Sequence, residues 1–139
     1  MVIFNKIVED RSNIDFVLKL NGFQVIHIRE SENFGHYLMI YSNQYITLRI
    51  ISDRSMISVD VRRYGGAEWF DINLVKVLLL NDAVSISPLD STELKTFLSN
   101  HLKNIISLFD TINYSSTEEK LRHLEKIRAK KMFPGTDLL

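Results

Sequence analysis

The run Tyr45-Ile-Thr-Leu-Arg-Ile-Ile-Ser-Asp-Arg-Ser-Met-Ile-Ser-Val-Asp-Val-Arg-Arg-Tyr-Gly-Gly66 decides the fold class. Ile46, Leu48 and Ile50 alternate with Thr47 and Arg49, and Ile57, Val59 and Val61 alternate with Ser58, Asp60 and Arg62. Successive side chains of a strand point to opposite faces, so this period of two predicts strands over 45–51 and 56–63, each with an apolar and a polar side. Ser52-Asp53-Arg54-Ser55 joins them through a short polar turn, which makes them antiparallel neighbours. Toward the N-terminus, Ser42-Asn43-Gln44 sets off another strand over 34–41. Beyond Glu30–Asn33, a first strand over 23–29 carries Val25, Ile26 and Ile28. The pattern predicts a four-stranded antiparallel meander whose single apolar face needs helices on that side only.

The remaining sequence supplies those helices. Ile7, Ile14, Val17 and Leu18 recur at helical spacing before an Asn21-Gly22 stop, which predicts a helix over 6–20. Asp71 is the expected N-cap of a short helix over 71–80 with Ile72, Val75, Leu78 and Leu79 inward. Pro88 and Asp90-Ser-Thr-Glu93 open a long helix whose apolar stripe runs from Leu94 through Phe97, Leu98 and Leu102 to Phe109 and Ile112. Ser116-Thr-Glu-Glu119 reads as a second capping box, opening a last helix over about 116–132 with a thin apolar stripe and shallow, peripheral burial. The expected fold is α+β, in the order αββββααα, with residues 1–139 as one domain.

Composition narrows the function classes. The 139 residues are 45% hydrophobic and 24% charged, the balance of a folded domain. Seventeen Lys+Arg offset seventeen Asp+Glu, so no global field draws the chain to polyanions. The absence of cysteine removes disulfides, thiolate nucleophiles and zinc-thiolate sites. No secretory signal pattern and no apolar run of membrane-spanning length is read, so a cytoplasmic protein without a membrane partner is expected. Residues 116–131 hold six basic residues against three acidic, a net +3, which the macrodipole of a solvated helix accommodates.

No catalytic constellation emerges. His27, His36, His101 and His123 show no metal-ligand spacing, GxSxG is missing, and Gly65-Gly66 lacks the Lys-Ser/Thr of a phosphate loop. No catalytic, cofactor-binding or metal-binding residue is assigned, and no cofactor is expected. Tyrosine and arginine dominate the energetics of protein interfaces, so the sheet's polar face is the candidate protein-binding surface. Its expected members are Tyr37, Tyr41, Arg49, Asp60, Arg62 and the 64–69 loop, with Tyr64 at its start.

Several short stretches carry a resemblance. They are Phe34-Gly35, Leu48-Arg49-Ile50 before Ser52-Asp53-Arg54, Val59-Asp60-Val61, and Glu68-Trp69-Phe70-Asp71-Ile72 leading into the apolar helix Val75–Leu80. Over residues 34–80 the chain resembles small bacterial α+β proteins of the immunity type, found beside polymorphic or contact-dependent toxins. The resemblance implies a stoichiometric binder that is not an enzyme, with Trp69 and Phe70 sealing the sheet against the helix while Asp71 caps it. It carries over no interface residue. The expected function is thus protein binding, with neutralisation of a cognate toxin as the specific form, by a monomer or a homodimer. Two alternatives stand beside it. One is a nucleic-acid-associated accessory protein using the basic C-terminal helix. The other is a small hydrolase or ligand-binding domain with a pocket lined by His27, His36 or the carboxylates between Asp53 and Asp71.

Overall fold

The computed structural model describes residues 14–30, 36–53, 56–87 and 89–135. The expected helical turns over 6–13, Phe34-Gly35 and Pro88 lie outside them. Helix α1 covers residues 14–20. Strands β1 (Gln24–Glu30), β2 (Tyr37–Ser42), β3 (Ile46–Asp53), β4 (Met56–Arg63) and β5 (Phe70–Asp71) follow, and then helices α2 (Ile72–Leu80), α3 (Ser91–Leu108) and α4 (Tyr114–Met132). The strands form one antiparallel sheet in the order β1-β2-β3-β4-β5.

The α+β class and the meander agree with the alternation in β3 and β4. Leu48 pairs with Val61 and Ile50 with Val59, and all four are buried with Tyr37, Met39 and Tyr41 of β2. Ile14 and Leu18 of α1, Ile72 and Val75 of α2, Leu98 and Ile105 of α3 and Leu121 of α4 complete the same cluster. Burying each such side chain contributes about 1.5–3 kcal/mol, so this layer is what holds the fold. The opposite sheet face carries Leu38, Ile40, Arg49, Ile51, Asp60 and Arg62, all half-buried, and the described helices commit their buried residues to the first face.

Five strands replace the expected four. After the Tyr64-Gly65 turn, where Gly65 has a φ of +75°, the chain returns along β4 just far enough to pair Val61 with Phe70 and Asp60 with Asp71. Two residues are too few to show a period. At the other edge, a β-bulge between Val25 and His27 breaks the register of β1, and Ile26 and Ile28 are 59% and 54% exposed. Bulges of this kind are common at sheet edges, where they bend the strand.

Of the caps expected on the two long helices, one is present and one is not. Asp90 accepts from the Glu93 amide at 2.8 Å and the Asp90 amide donates to the Glu93 carboxylate at 3.4 Å, completing the expected capping box of α3. That helix stops at Leu108, short of Ile112, which is 90% exposed. Asp110 terminates the stripe by accepting from the Asn113 amide at 2.7 Å, which folds the chain into a turn. Helix α4 then starts at Tyr114, two residues before the expected Ser116 cap, with an N-cap, Asn113, whose side chain turns back to the Ser107 carbonyl and Asp110 and makes no capping bond. The buried Thr117 instead donates its hydroxyl to the Leu108 carbonyl at 2.6 Å, locking the corner between α3 and α4.

This corner gives a direct test in urea unfolding. Thr117→Val strands the Leu108 carbonyl and is expected to cost about 1–2 kcal/mol, whereas Ser116→Ala on the exposed first turn should change stability by less than about 0.5 kcal/mol. Equal losses in both variants would mean that Ser116 caps the helix after all.

Candidate functional site

The site is built by three consecutive residues. Because side chains alternate across a strand, the turn of the chain at 69–71 sends Phe70 to one face and its neighbours to the other. Phe70 enters the core opposite Val61, almost fully buried, with its ring 6.2 Å from that of Phe109. Trp69 lies on the open face of the sheet. There the guanidinium carbons of Arg49 and Arg62 each sit 4.4 Å from its ring centroid. Stacked guanidiniums are attracted by the negative face of the indole, each by about 0.5–1 kcal/mol at exposed sites and more when desolvated. Asp60, directly across from Arg49, accepts from its Nε at 3.2 Å and its Nη2 at 2.8 Å through a single oxygen. Arg49, Asp60, Arg62 and Trp69 therefore form one contiguous polar-aromatic patch, half-buried and preset in geometry.

Asp71 anchors the edge of the patch to the helices. Its Oδ1 accepts from the amide of Asn73 at 2.9 Å, capping α2 as expected, and from the Asn73 side chain at 2.7 Å. Its Oδ2 accepts from Arg128 of α4 at 2.6 Å. Other cations of α4 also turn inward. Arg122 pairs with Glu68 at 3.2 Å and with Glu118 at 3.5 Å, and Lys131 donates to the Val84 carbonyl at 2.7 Å. The hydrogen bond and charge of Glu68, with Glu118 beside it, raise the pKa of Arg122. Half of the basic residues that the C-terminal helix offered to a nucleic acid thus serve to hold the molecule together.

Of the six expected surface residues, Arg49, Asp60 and Arg62 are brought together. Tyr64 is exposed just past the end of β4, beside Tyr45 and a cleft of about 580 Å³. Tyr37 and Tyr41 are corrections: they are 5% and 1% exposed and belong to the core beneath the helices. The register fixes this, because Tyr41 pairs with Leu48, an inward residue, and Tyr37 with Ser52, on the same face. The Tyr41 hydroxyl donates to Asp15 of α1 at 2.5 Å, so it ties helix to sheet. Trp69, in the 64–69 loop expected at this surface, departs from what the resemblance implies. The resemblance implied a seal against the helix, a role that Phe70 alone fills. The signal was the alternation itself: with Phe70 in the core and Asp71 at a cap, Trp69 has to face outward.

Of the groups considered for catalysis, Asp60 and Asp71 are cross-strand neighbours, while the four histidines are dispersed. His27 and His123 are exposed, His36 pairs with Asp53 at 3.2 Å, and His101 stacks on Phe97 with centroids 5.2 Å apart. Asp53 contacts His36, and Asp60, Glu68 and Asp71 are each held by a different arginine. His36 borders a cleft of about 410 Å³, but with Arg29 and Glu30 on its rim. Among the described residues no group of three His, Cys, Asp or Glu is placed to hold a metal ion, and no helix is long and apolar enough to cross a membrane. Comparison with protein-family models, with curated proteins and with solved structures finds no match.

Two outcomes follow from these contacts. Asp71→Ala removes a helix cap and leaves Arg128 without its partner, and is expected to lower unfolding stability by about 1–3 kcal/mol; an effect below about 0.5 kcal/mol contradicts the anchoring role. Tyr114 has its pKa raised above 10.0 by burial and by its hydrogen bond to Glu118, with Glu68 adding to the rise and Arg63, 4.9 Å above its ring, opposing it. The folded chain holds this proton more tightly than the unfolded one. The stabilisation is thus complete below pH 10 and is lost as pH rises through the folded pKa. Tyr114→Phe should flatten the alkaline decline in stability, and an unchanged decline would contradict the assignment.

Proposed function

We propose that this chain is a non-catalytic, cytoplasmic protein-binding module that docks a partner on the open face of its sheet, and that the partner is a cognate bacterial toxin neutralised by occlusion. The observation that carries the reading is the Trp69 patch. A tryptophan between two arginines is the residue chemistry that dominates protein interfaces, and Leu38, Ile40 and Ile51 extend the same face with half-buried apolar surface. Aromatic and arginine anchors beside apolar surface are what an interface core contains. The immunity-type assignment is supported by the resemblance of residues 34–80 and by the dispersal of the four histidines.

Cognate binding is expected to bury about 1,200 Å² or more in total. The test is affinity capture from the source cells with the full chain as bait, run beside Trp69→Ala and Ile40→Glu on the open face and Lys103→Glu on α3. The expected result is one protein recovered near one-to-one by the wild type and by Lys103→Glu and lost with both open-face variants. It should be toxic when produced alone and harmless when produced with this chain. Recovery of no such protein, or recovery indifferent to the open-face variants, would contradict the reading.

A further inference from the structure

We propose that Arg62 is the receptor for a carboxylate of the partner, so that the protein docked on the open face presents an acidic side chain to the Trp69 platform. This rests on the reading of that face as a protein-binding surface and goes on to specify the chemistry of what binds there.

Arg49 and Arg62 look alike in sequence but are committed differently. Arg49 is neutralised by Asp60. Arg62 stacks on Trp69 with no carboxylate at ion-pair distance among the described residues. Its Nε is buried without an acceptor. The nearest opportunities are already taken. Thr47, its cross-strand partner, shares its hydroxyl with Ser42 at 3.1 Å, Asp60 serves Arg49, and Asp71 serves Asn73 and Arg128. A half-buried guanidinium without a counter-charge has lost part of its hydration and recovers it from an incoming anion. Stacking on the indole also fixes the plane of the fork before binding, which lowers the entropy lost on docking.

A carboxylate suits this receptor better than a nucleic-acid backbone does. With Nε buried, the fork left to Arg62 is its end-on pair of Nη groups, which matches one Asp or Glu side chain in bidentate geometry. The carboxylates of Asp60 and Asp71 lie across the sheet from each other close by, so a run of phosphates along the face would meet negative charge on the neighbouring strands. The chain as a whole has a net charge of +0 and gives no general attraction to compensate.

Trp69 is the only tryptophan of the chain, so its emission reports on the patch without a label. The full chain is titrated with hexaglutamate, with hexaglutamine and with an oligothymidylate, and the series is repeated on Arg62→Gln, Arg62→Lys and the α3 control Lys103→Gln. The expected result is a saturable, salt-sensitive change in emission with hexaglutamate and none with hexaglutamine. Its affinity should fall on the order of tenfold or more in Arg62→Gln, from loss of charge-assisted hydrogen bonds. Arg62→Lys keeps the charge but not the fork, and should be weakened as well, while Lys103→Gln should match the wild type. No saturable response, an undiminished response in both Arg62 variants, or a tighter response to the oligothymidylate would overturn the proposal. In the capture experiment, a partner lost with Ile40→Glu but kept with Arg62→Gln would remove the carboxylate receptor and leave the protein-binding reading standing. A partner lost with neither removes both.

Discussion

The constraint on which the site depends is the alternation at Trp69, Phe70 and Asp71. A two-residue strand can place one side chain in the core only by sending those on either side to the opposite face. Phe70 takes the inward position against Val61 and Phe109. Trp69 is then committed to the open face, and Asp71 is left at the sheet edge, where it can cap α2 and receive Arg128. One short segment thus joins the sheet, the helical layer and the exposed patch. Slipping it by one residue would bring Asp71 inward and expose Phe70, so the apolar core enforces the geometry of the polar face.

The two faces differ in energetic weight. On the covered face, buried aliphatic residues each contribute several times what an exposed ion pair does. The open-face pair of Arg49 and Asp60 is 31% and 22% exposed, and partly exposed pairs of this kind add about 1 kcal/mol or less. Stability therefore gives little reason to gather two arginines around a tryptophan. The proposed recognition role gives a better one, because stacking fixes the plane of a guanidinium before anything binds it.

The sequence was most legible where a single pattern operates. In β3 and β4 the apolar and polar positions separate cleanly, so strand type, pairing and inward face all followed. In β2, Tyr37-Leu-Met-Ile-Tyr41 is apolar or aromatic at every position. Nothing local says which parity faces in, and the register with β3 decides it. Tyr37 and Tyr41 were placed on the wrong face for that reason. The start of α4 was ambiguous because a capping-box pattern at Ser116 competed with a tertiary bond from Thr117 to the preceding helix. The charge surplus of α4 was legible as a number. That Arg122, Arg128 and Lys131 spend their charge on Glu68, Asp71 and Val84 was not, since those partners lie far away in the chain.

The account is tested most directly by nuclear Overhauser contacts from the Trp69 indole in the uniformly labelled full chain. The geometry described here predicts contacts to the side-chain methylenes of both Arg49 and Arg62, with those protons shifted upfield by the ring current. Contacts from the indole to the core methyls of Leu48 or Val59 instead would place Trp69 beneath the helices and contradict the account at its centre.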